Sequence, residues 1–199
     1  MRSIKKKLEI FKEGSVKKEI DIIKRKIKIL KKRQVRKKID NLFEWIKGAE
    51  LIELKTCNTK EDPVRPELDV VFRRSYGRKI YGVMYKKEIC AIMCFGFTNE
   101  IPKTVKELDL MTRDAYLKSA QRDQNIGQIA IAYTVWSKKR GGGKLIVKEV
   151  FKKIKKSNHL NRLVTLSPLT EMATKFHSRN GAKLLQRNEN TQNFEYKVI

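Results

Sequence analysis

A glycine-rich, cationic segment between two apolar stretches constrains the fold of this chain more than any other feature. The apolar run 129–136 precedes it, and residues 145–154 repeat apolar side chains at helical spacing after it. A strand, a loop and a helix are therefore predicted in that order. Glycines let a backbone approach a ligand closely, and the first N–H groups of a helix attract anions. A phosphate-binding loop is predicted at Lys138, Lys139, Arg140, Gly141, Gly142, Gly143 and Lys144.

The charge of the chain is strongly unbalanced. Lys and Arg number 47 against 22 Asp and Glu, which gives a formal net charge of +25. A chain of this charge is drawn to nucleic acid, anionic lipid and acidic protein surfaces. Hydrophobic residues make up 40% of the sequence, which is enough for a packed core and excludes wholesale disorder.

Membrane insertion, disulfides and metal binding find no support in the sequence. No apolar run approaches the ~20 residues that span a bilayer, and the basic start lacks the apolar segment of a signal peptide. An odd number of cysteines argues against a disulfide framework. The three cysteines and two histidines have no metal-binding spacing. We therefore expect no metal cofactor and a reduced, cytoplasmic location.

The first 50 residues form a basic segment with helical periodicity. Residues 1–47 contain 18 Lys and Arg against 6 Asp and Glu. An apolar stripe at helical spacing consists of Val16, Ile20, Ile23, Ile27 and Leu30. The stripe could bury itself against the rest of the chain, a second copy or a membrane surface. The cations either engage the phosphates of nucleic acid or form a solvated face.

Two prolines, Pro63 and Pro66, separate this segment from a mixed α/β domain over residues 68–199. Residues 51–67 are predicted to be a linker or a first strand. Beyond them, hydrophobic periodicity predicts alternating strands and helices. These are a hairpin at 79–85 and 89–97, helical turns at 113–122, the strand 129–136, the helix 145–154, a strand at 163–166, a helix at 172–179 and a closing hairpin at 184–186 and 194–198.

This order of elements resembles the GCN5-related N-acyltransferases (GNAT). In that family, a loop of pattern Gln/Arg-x-x-Gly-x-Gly/Ala follows a central strand; Lys138 takes the first position here, and Gly141 and Gly143 match the glycines. The segment from Ser167-Pro168 to Gly181 resembles a second family signature, with His177 in the place of its tyrosine. Residues 165–168 also resemble the malonyl-CoA decarboxylase catalytic domain. The resemblance implies a mixed, mostly antiparallel sheet flanked by helices.

The resemblance also implies a reaction and a set of roles. The co-substrate would be acetyl-CoA or another acyl-CoA, whose pyrophosphate the glycine loop holds, and the acyl group would pass directly to an amine. Val135 and Trp136 would lie near the acyl group, with one main-chain N–H polarising its carbonyl. His177 would protonate the departing thiolate or act as the base.

Two further residues have alternative interpretations. Ser167 either hydrogen-bonds the thioester or caps the helix that follows it. Glu107 is the candidate general base among several acids, each of which could equally be a solvated charge.

The acceptor amine is left open by the sequence. The positive charge favours an acidic acceptor, including nucleic acid. Two alternatives remain: a nucleic-acid-binding protein on a catalytically degenerate GNAT-like fold, and a GNAT-related enzyme that modifies nucleic acid.

Overall fold

The computed structural model describes residue 25 and residues 28–37, 44–122 and 126–196. The chain divides into two compact units, Met1–Gly48 and Ala49–Ile199. In the first unit, residues 28–37 and 44–47 are helical. Leu30 of the predicted apolar stripe is exposed, and Val16, Ile20, Ile23 and Ile27 lie outside the described residues. Nucleic-acid binding and self-association by this segment therefore stay predictions.

A sheet of eight strands, counted over the described residues, forms the second unit. The strands are β1 (Glu50–Glu53), β2 (Lys79–Tyr85), β3 (Glu88–Thr98), β4 (Ile129–Ser137), β5 (Arg162–Thr165), β6 (Ser167–Pro168), β7 (Ala182–Arg187) and β8 (Thr191–Tyr196). Their order is β1-β2-β3-β4-β5-β8-β6, with β7 paired to β8. Only β4 and β5 pair in parallel among these strands. The mixed, mostly antiparallel sheet expected from the sequence is confirmed.

Four α-helices accompany the described part of this sheet: α1 (Val70–Arg74), α2 (Val105–Arg122), α3 (Gly142–Lys155) and α4 (Glu171–Arg179). α2 and α3 pack on opposite faces of β3, because Gly96 adjoins Leu108 and Thr112 of α2 whereas Ala91 adjoins Gly142 of α3. No helix among the described residues is long and apolar enough to cross a membrane.

The two hairpins, the central strand and the helices α3 and α4 confirm the predicted elements. α2 begins earlier than the predicted turns at 113–122, because its start is capped. Thr104 Oγ1 accepts the Glu107 N–H at 3.0 Å, and Glu107 Oε2 accepts the Lys103 N–H at 2.8 Å. The sequence analysis did not predict α1, which spans five residues and is capped by Asp69.

β4 contains one extra residue relative to its neighbour β3. The pairing passes from Thr134 opposite Cys94 directly to Ala132 opposite Phe95, so Tyr133 is bulged. A bulge redirects the local main chain. It lies directly before the segment that leads into the glycine loop.

Candidate active site

A cleft of about 510 Å³ lies where β4 and β5 separate. Their parallel pairing ends at Ala132 and Thr165. After Leu166 the chain enters β6, which pairs with β8 instead of β4. The cleft is lined by residues 132–138, by Gly143 at the start of α3, by β6 and by residues of α4.

Arg65 bridges the two strands at the point where they separate. Its Nε donates to the Tyr133 carbonyl at 3.0 Å, and its Nη2 donates to the Leu166 carbonyl at 3.2 Å. These carbonyl groups lie at the bulge and at the end of β5, where no neighbouring strand can pair with them. The buried guanidinium therefore stabilises the separated strands. The sequence predicts a boundary at Pro63 and Pro66 but gives no sign of this role of the arginine between them.

Asp62 fixes the segment that carries Arg65. Its carboxylate accepts the N–H groups of Val64 and Arg65 at 2.9 and 3.2 Å, and the Thr134 hydroxyl at 2.8 Å. It also pairs with Arg73 at 2.9 Å, and neither side chain of this ion pair is exposed. A buried carboxylate thus ties the wall of the cleft to the middle of β4.

Successive main-chain N–H groups of β4 point alternately towards β3 and towards the gap between β4 and β5, so the pairing with β3 identifies which of them faces the gap. Lys138 N–H donates to the Cys90 carbonyl across the β3 pairing at 2.9 Å. In an antiparallel ladder, such hydrogen-bonded pairs recur every second residue, so Trp136 also bonds towards β3. The N–H of Val135 then points to the other side, into the gap left by β5. Of the two residues that the resemblance placed near an acyl group, Val135 presents its N–H there and Trp136 does not.

The glycine loop ends in an uncapped helix start. Gly141 has φ of +84° and no side chain caps α3; the left-handed conformation suits glycine. The Gly142 N–H donates to the Lys139 carbonyl at 2.9 Å. Within the described part of the chain, the N–H groups of Gly143 and Lys144 have no partner. Both amides belong to the phosphate-binding loop that the sequence predicts at residues 138–144.

The cations of the loop divide into two pairs. Lys138 Nζ lies 2.6 Å from a Glu61 carboxylate oxygen, and this bond lowers the pKa of Glu61. Lys139 Nζ lies 4.3 Å from the centre of the Tyr85 ring. Arg140 and Lys144 are exposed. The surface pair of Lys138 is weak enough to exchange for another anion.

A second depression, of about 560 Å³, continues from the cleft across the start of α3. Both hollows share Ser137, Gly143 and Phe176. The second is also lined by Lys144 and by cations of α4, Lys175 and Arg179. The free N–H groups therefore lie on the edge between an apolar cleft and a basic depression.

A hydrogen-bonded chain of side chains forms one wall of the cleft. Ser167 Oγ lies 2.8 Å from His177 Nε2, and His177 Nδ1 lies 2.7 Å from Tyr196 Oη. All three residues line the cleft and are buried. The sequence analysis named Ser167 and His177 and missed Tyr196, which lies 19 residues beyond the histidine.

One interpretation made from the sequence is corrected by this geometry. The helix after Ser167 is capped by Thr170, whose side chain accepts the Ala173 N–H, so Ser167 is not its cap. Glu107 Oε2 accepts the Lys103 N–H at the start of α2, and Glu107 is not among the residues that line the cleft. Its role as the general base stays a prediction.

Burial lowers the pKa of His177 from 6.5 to about 4. Between these values the unfolded chain binds a proton that the folded chain does not, so stability falls as pH falls from about 6.5 to about 4. The difference between these two pKa values corresponds to roughly 3 kcal/mol. We expect the wild type to lose about this much more stability than His177→Gln over that interval, measured by urea unfolding. If the free energy of unfolding of the two proteins changed equally with pH, the lowered pKa of His177 would be contradicted.

Comparison with solved structures identifies the fold, whereas no protein-family model and no curated protein sequence matches this chain. The loading GNATL domain of CurA from Lyngbya majuscula has a TM-score of 0.52 at 12% identity, over 74% of this chain and 96% of that one. An acetyltransferase from Bacillus subtilis, solved with CoA, has a TM-score of 0.51 at 11% identity, over 76% and 98%.

Malonyl-CoA decarboxylase from Cupriavidus metallidurans has a TM-score of 0.44 at 19% identity, over 73% of this chain. The aligned part is only 38% of the decarboxylase. The separated strands, the bulge before the glycine loop and the two similarities with TM-scores above 0.5 define an acyltransferase-like class of fold. The fold of this chain is that of the GCN5-related N-acyltransferases, as the sequence resemblance predicted.

Proposed function

We propose that this protein is an acyl-CoA-dependent N-acyltransferase, with acetyl-CoA or another acyl-CoA as co-substrate. The observation that carries the proposal is the pair of unpartnered N–H groups at Gly143 and Lys144. They lie where an apolar cleft meets a basic depression. Acyl-CoA has an acyl-pantetheine arm, a diphosphate and a charged nucleotide end. These three parts match, in that order, the apolar cleft, the free N–H groups and the basic depression.

Each part of the coenzyme has a place in this arrangement. The diphosphate would accept hydrogen bonds from the two free amides and attract Lys144. The 3′-phosphate end would lie near Lys175 and Arg179. The thioester would reach the gap between β4 and β5, where the Val135 N–H would stabilise negative charge on the carbonyl oxygen. An acetyltransferase from Bacillus subtilis with this fold was solved in complex with CoA, which supports CoA as the kind of ligand.

The acceptor is proposed to be an amine on an acidic molecule. The net charge of +25 attracts acidic acceptors and repels cationic ones such as lysine-rich peptides. An amine carried by nucleic acid or by an acidic protein meets this requirement.

Calorimetric titration with acetyl-CoA tests the coenzyme site. We expect saturable binding, and at about 100 times the dissociation constant the ligand should add about 2.7 kcal/mol of stability. ADP, which keeps the diphosphate and lacks the acyl arm, should bind more weakly at the same place and compete with acetyl-CoA. Absence of any acetyl-CoA binding, with the protein folded by circular dichroism, would exclude the proposed function.

A further inference from the structure

Ser167 carries a hydroxyl that coenzyme binding alone does not require. Its Oγ lies 2.8 Å from His177 Nε2, inside the cleft. The capping role that would otherwise explain it belongs to Thr170. A serine bonded to an imidazole whose second nitrogen is held by a third group is the arrangement that activates serine as a nucleophile.

The surrounding hydrogen bonds are compatible with the tautomer that this chemistry needs. Ser167 Oγ donates to Thr165 Oγ1 at 3.0 Å, and the same threonine oxygen accepts the Phe194 N–H at 3.1 Å. In the reactive tautomer, the serine hydroxyl turns from Thr165 to His177 Nε2, 2.8 Å away, and His177 donates from Nδ1 to Tyr196 Oη, 2.7 Å away. In it, Nε2 is positioned to receive the serine proton.

The packing around the imidazole keeps it uncharged and fixed in orientation. His177 is 5% exposed, and the rings of Phe176 and Phe194 each lie 5.1 Å from its ring centre. Desolvation disfavours the protonated form. The imidazole is therefore uncharged at neutral pH.

We propose that Ser167 accepts the acyl group from acyl-CoA and then passes it to the acceptor. The inference rests on the proposed function and specifies its route. Ser167 Oγ bonds to the thioester carbon, the C–S bond breaks, and the serine proton passes through His177 Nε2 to the CoA sulfur. The amine nitrogen then bonds to the same carbon, the ester C–O bond breaks, and the amine proton returns through His177 to Ser167 Oγ.

This route differs from the direct transfer that the family resemblance implies. The Val135 N–H, which faces the same gap, can donate to the carbonyl oxygen as it becomes negative in both steps. Tyr196 is a positioning residue in this scheme, because it holds Nδ1 and thereby leaves Nε2 to the serine. Water in place of the amine releases the free acid, so slow acyl-CoA hydrolysis is expected without an acceptor.

Intact-protein mass spectrometry after rapid acid quench tests the acyl-serine. The protein is mixed with acetyl-CoA without an acceptor and, separately, with p-nitrophenyl acetate, which needs no coenzyme site. We expect a mass gain of one acetyl group that maps to Ser167, with release of one equivalent of CoA or nitrophenolate. His177→Gln should slow its formation by at least about 100-fold.

Matched variants distinguish the possible results. Ser167→Ala should abolish the adduct, whereas Ser178→Ala, an exposed serine next to His177, should retain it. Ser167→Cys is included in case the alanine variant does not fold. It should form a thioester adduct, which neutral hydroxylamine removes. Full turnover by Ser167→Ala, or an adduct that persists in it, would overturn the acyl-serine and leave the proposed function intact. If the wild-type protein did not bind acetyl-CoA, the proposed function would be wrong. Acetylation by p-nitrophenyl acetate would still show whether Ser167 acts as a nucleophile.

Discussion

Replacing Asp62 by alanine is expected to lower the free energy of unfolding by about 3–5 kcal/mol. Asp62 and Arg73 form an ion pair at 2.9 Å in which neither side chain is exposed. The substitution leaves the guanidinium buried without its counter-ion, and Thr134 loses the acceptor of its hydroxyl proton. Chemical denaturation of wild type and variant at pH 7 measures the difference.

Asp69→Ala is the matched control for this prediction. Asp69 also accepts a main-chain N–H, that of Phe72 at 2.7 Å, but it is exposed and only caps α1. Its removal should cost about 1 kcal/mol. The double variant Asp62→Leu/Arg73→Met should lose less than the sum of the single changes, because no charge stays buried. Equal losses for the two alanine variants would contradict the central role of the buried pair.

The same variant connects stability to the site. Asp62 accepts the Arg65 N–H, and Arg65 bonds to the carbonyl groups of Tyr133 and Leu166 where β4 and β5 separate. A gap between strands exposes main-chain groups that must find other partners. Arg65 supplies them here, so the gap between β4 and β5 depends on a loop outside the sheet.

The glycine loop and its helix could be predicted from the sequence because their signals are local. Strand, loop and helix follow one another within residues 129–155, and both the apolar periodicity and the three glycines are read directly from neighbouring residues. The Ser167 and His177 positions could be named from a family signature. Their mutual bond could not, since it depends on how α4 packs against β6 and β8.

The contacts that the sequence did not reveal join distant segments. Arg65 and Tyr133 are separated by 68 positions, and Arg65 and Leu166 by 101. An arginine between two prolines gives no sign of such partners. Tyr196 lies on β8, and nothing in the local pattern of the closing hairpin connects it with His177. The sequence does not distinguish Glu107 from the other acidic residues as a base, and its hydrogen bond with the Lys103 N–H is visible only in the folded chain.

Replacing Gly143 by valine is expected to weaken acetyl-CoA binding by at least about 100-fold. A Cβ at this position would lie 3.0 Å from the Phe176 ring, at the edge that the cleft and the basic depression share. The side chain would separate the diphosphate from the free N–H groups of Gly143 and Lys144. Hydrogen bonds to charged groups contribute about 1.5–3 kcal/mol each, so losing two of them accounts for the effect. Calorimetric titration measures the affinity.

Two companion variants distinguish the contribution of the main-chain N–H groups to affinity from the effects of side-chain charge and of helix packing. Lys144→Ala keeps its main-chain N–H and removes one exposed cation, so affinity should fall by at most about fivefold. A Cβ at Gly142 would meet Ser137 and Ala91 at 3.1 and 3.2 Å, inside the contact between helix and sheet. Gly142→Ala should therefore lower stability and leave the affinity of the folded protein largely intact. If a folded Gly143→Val protein bound acetyl-CoA as tightly as wild type, the diphosphate would have to lie away from the start of α3.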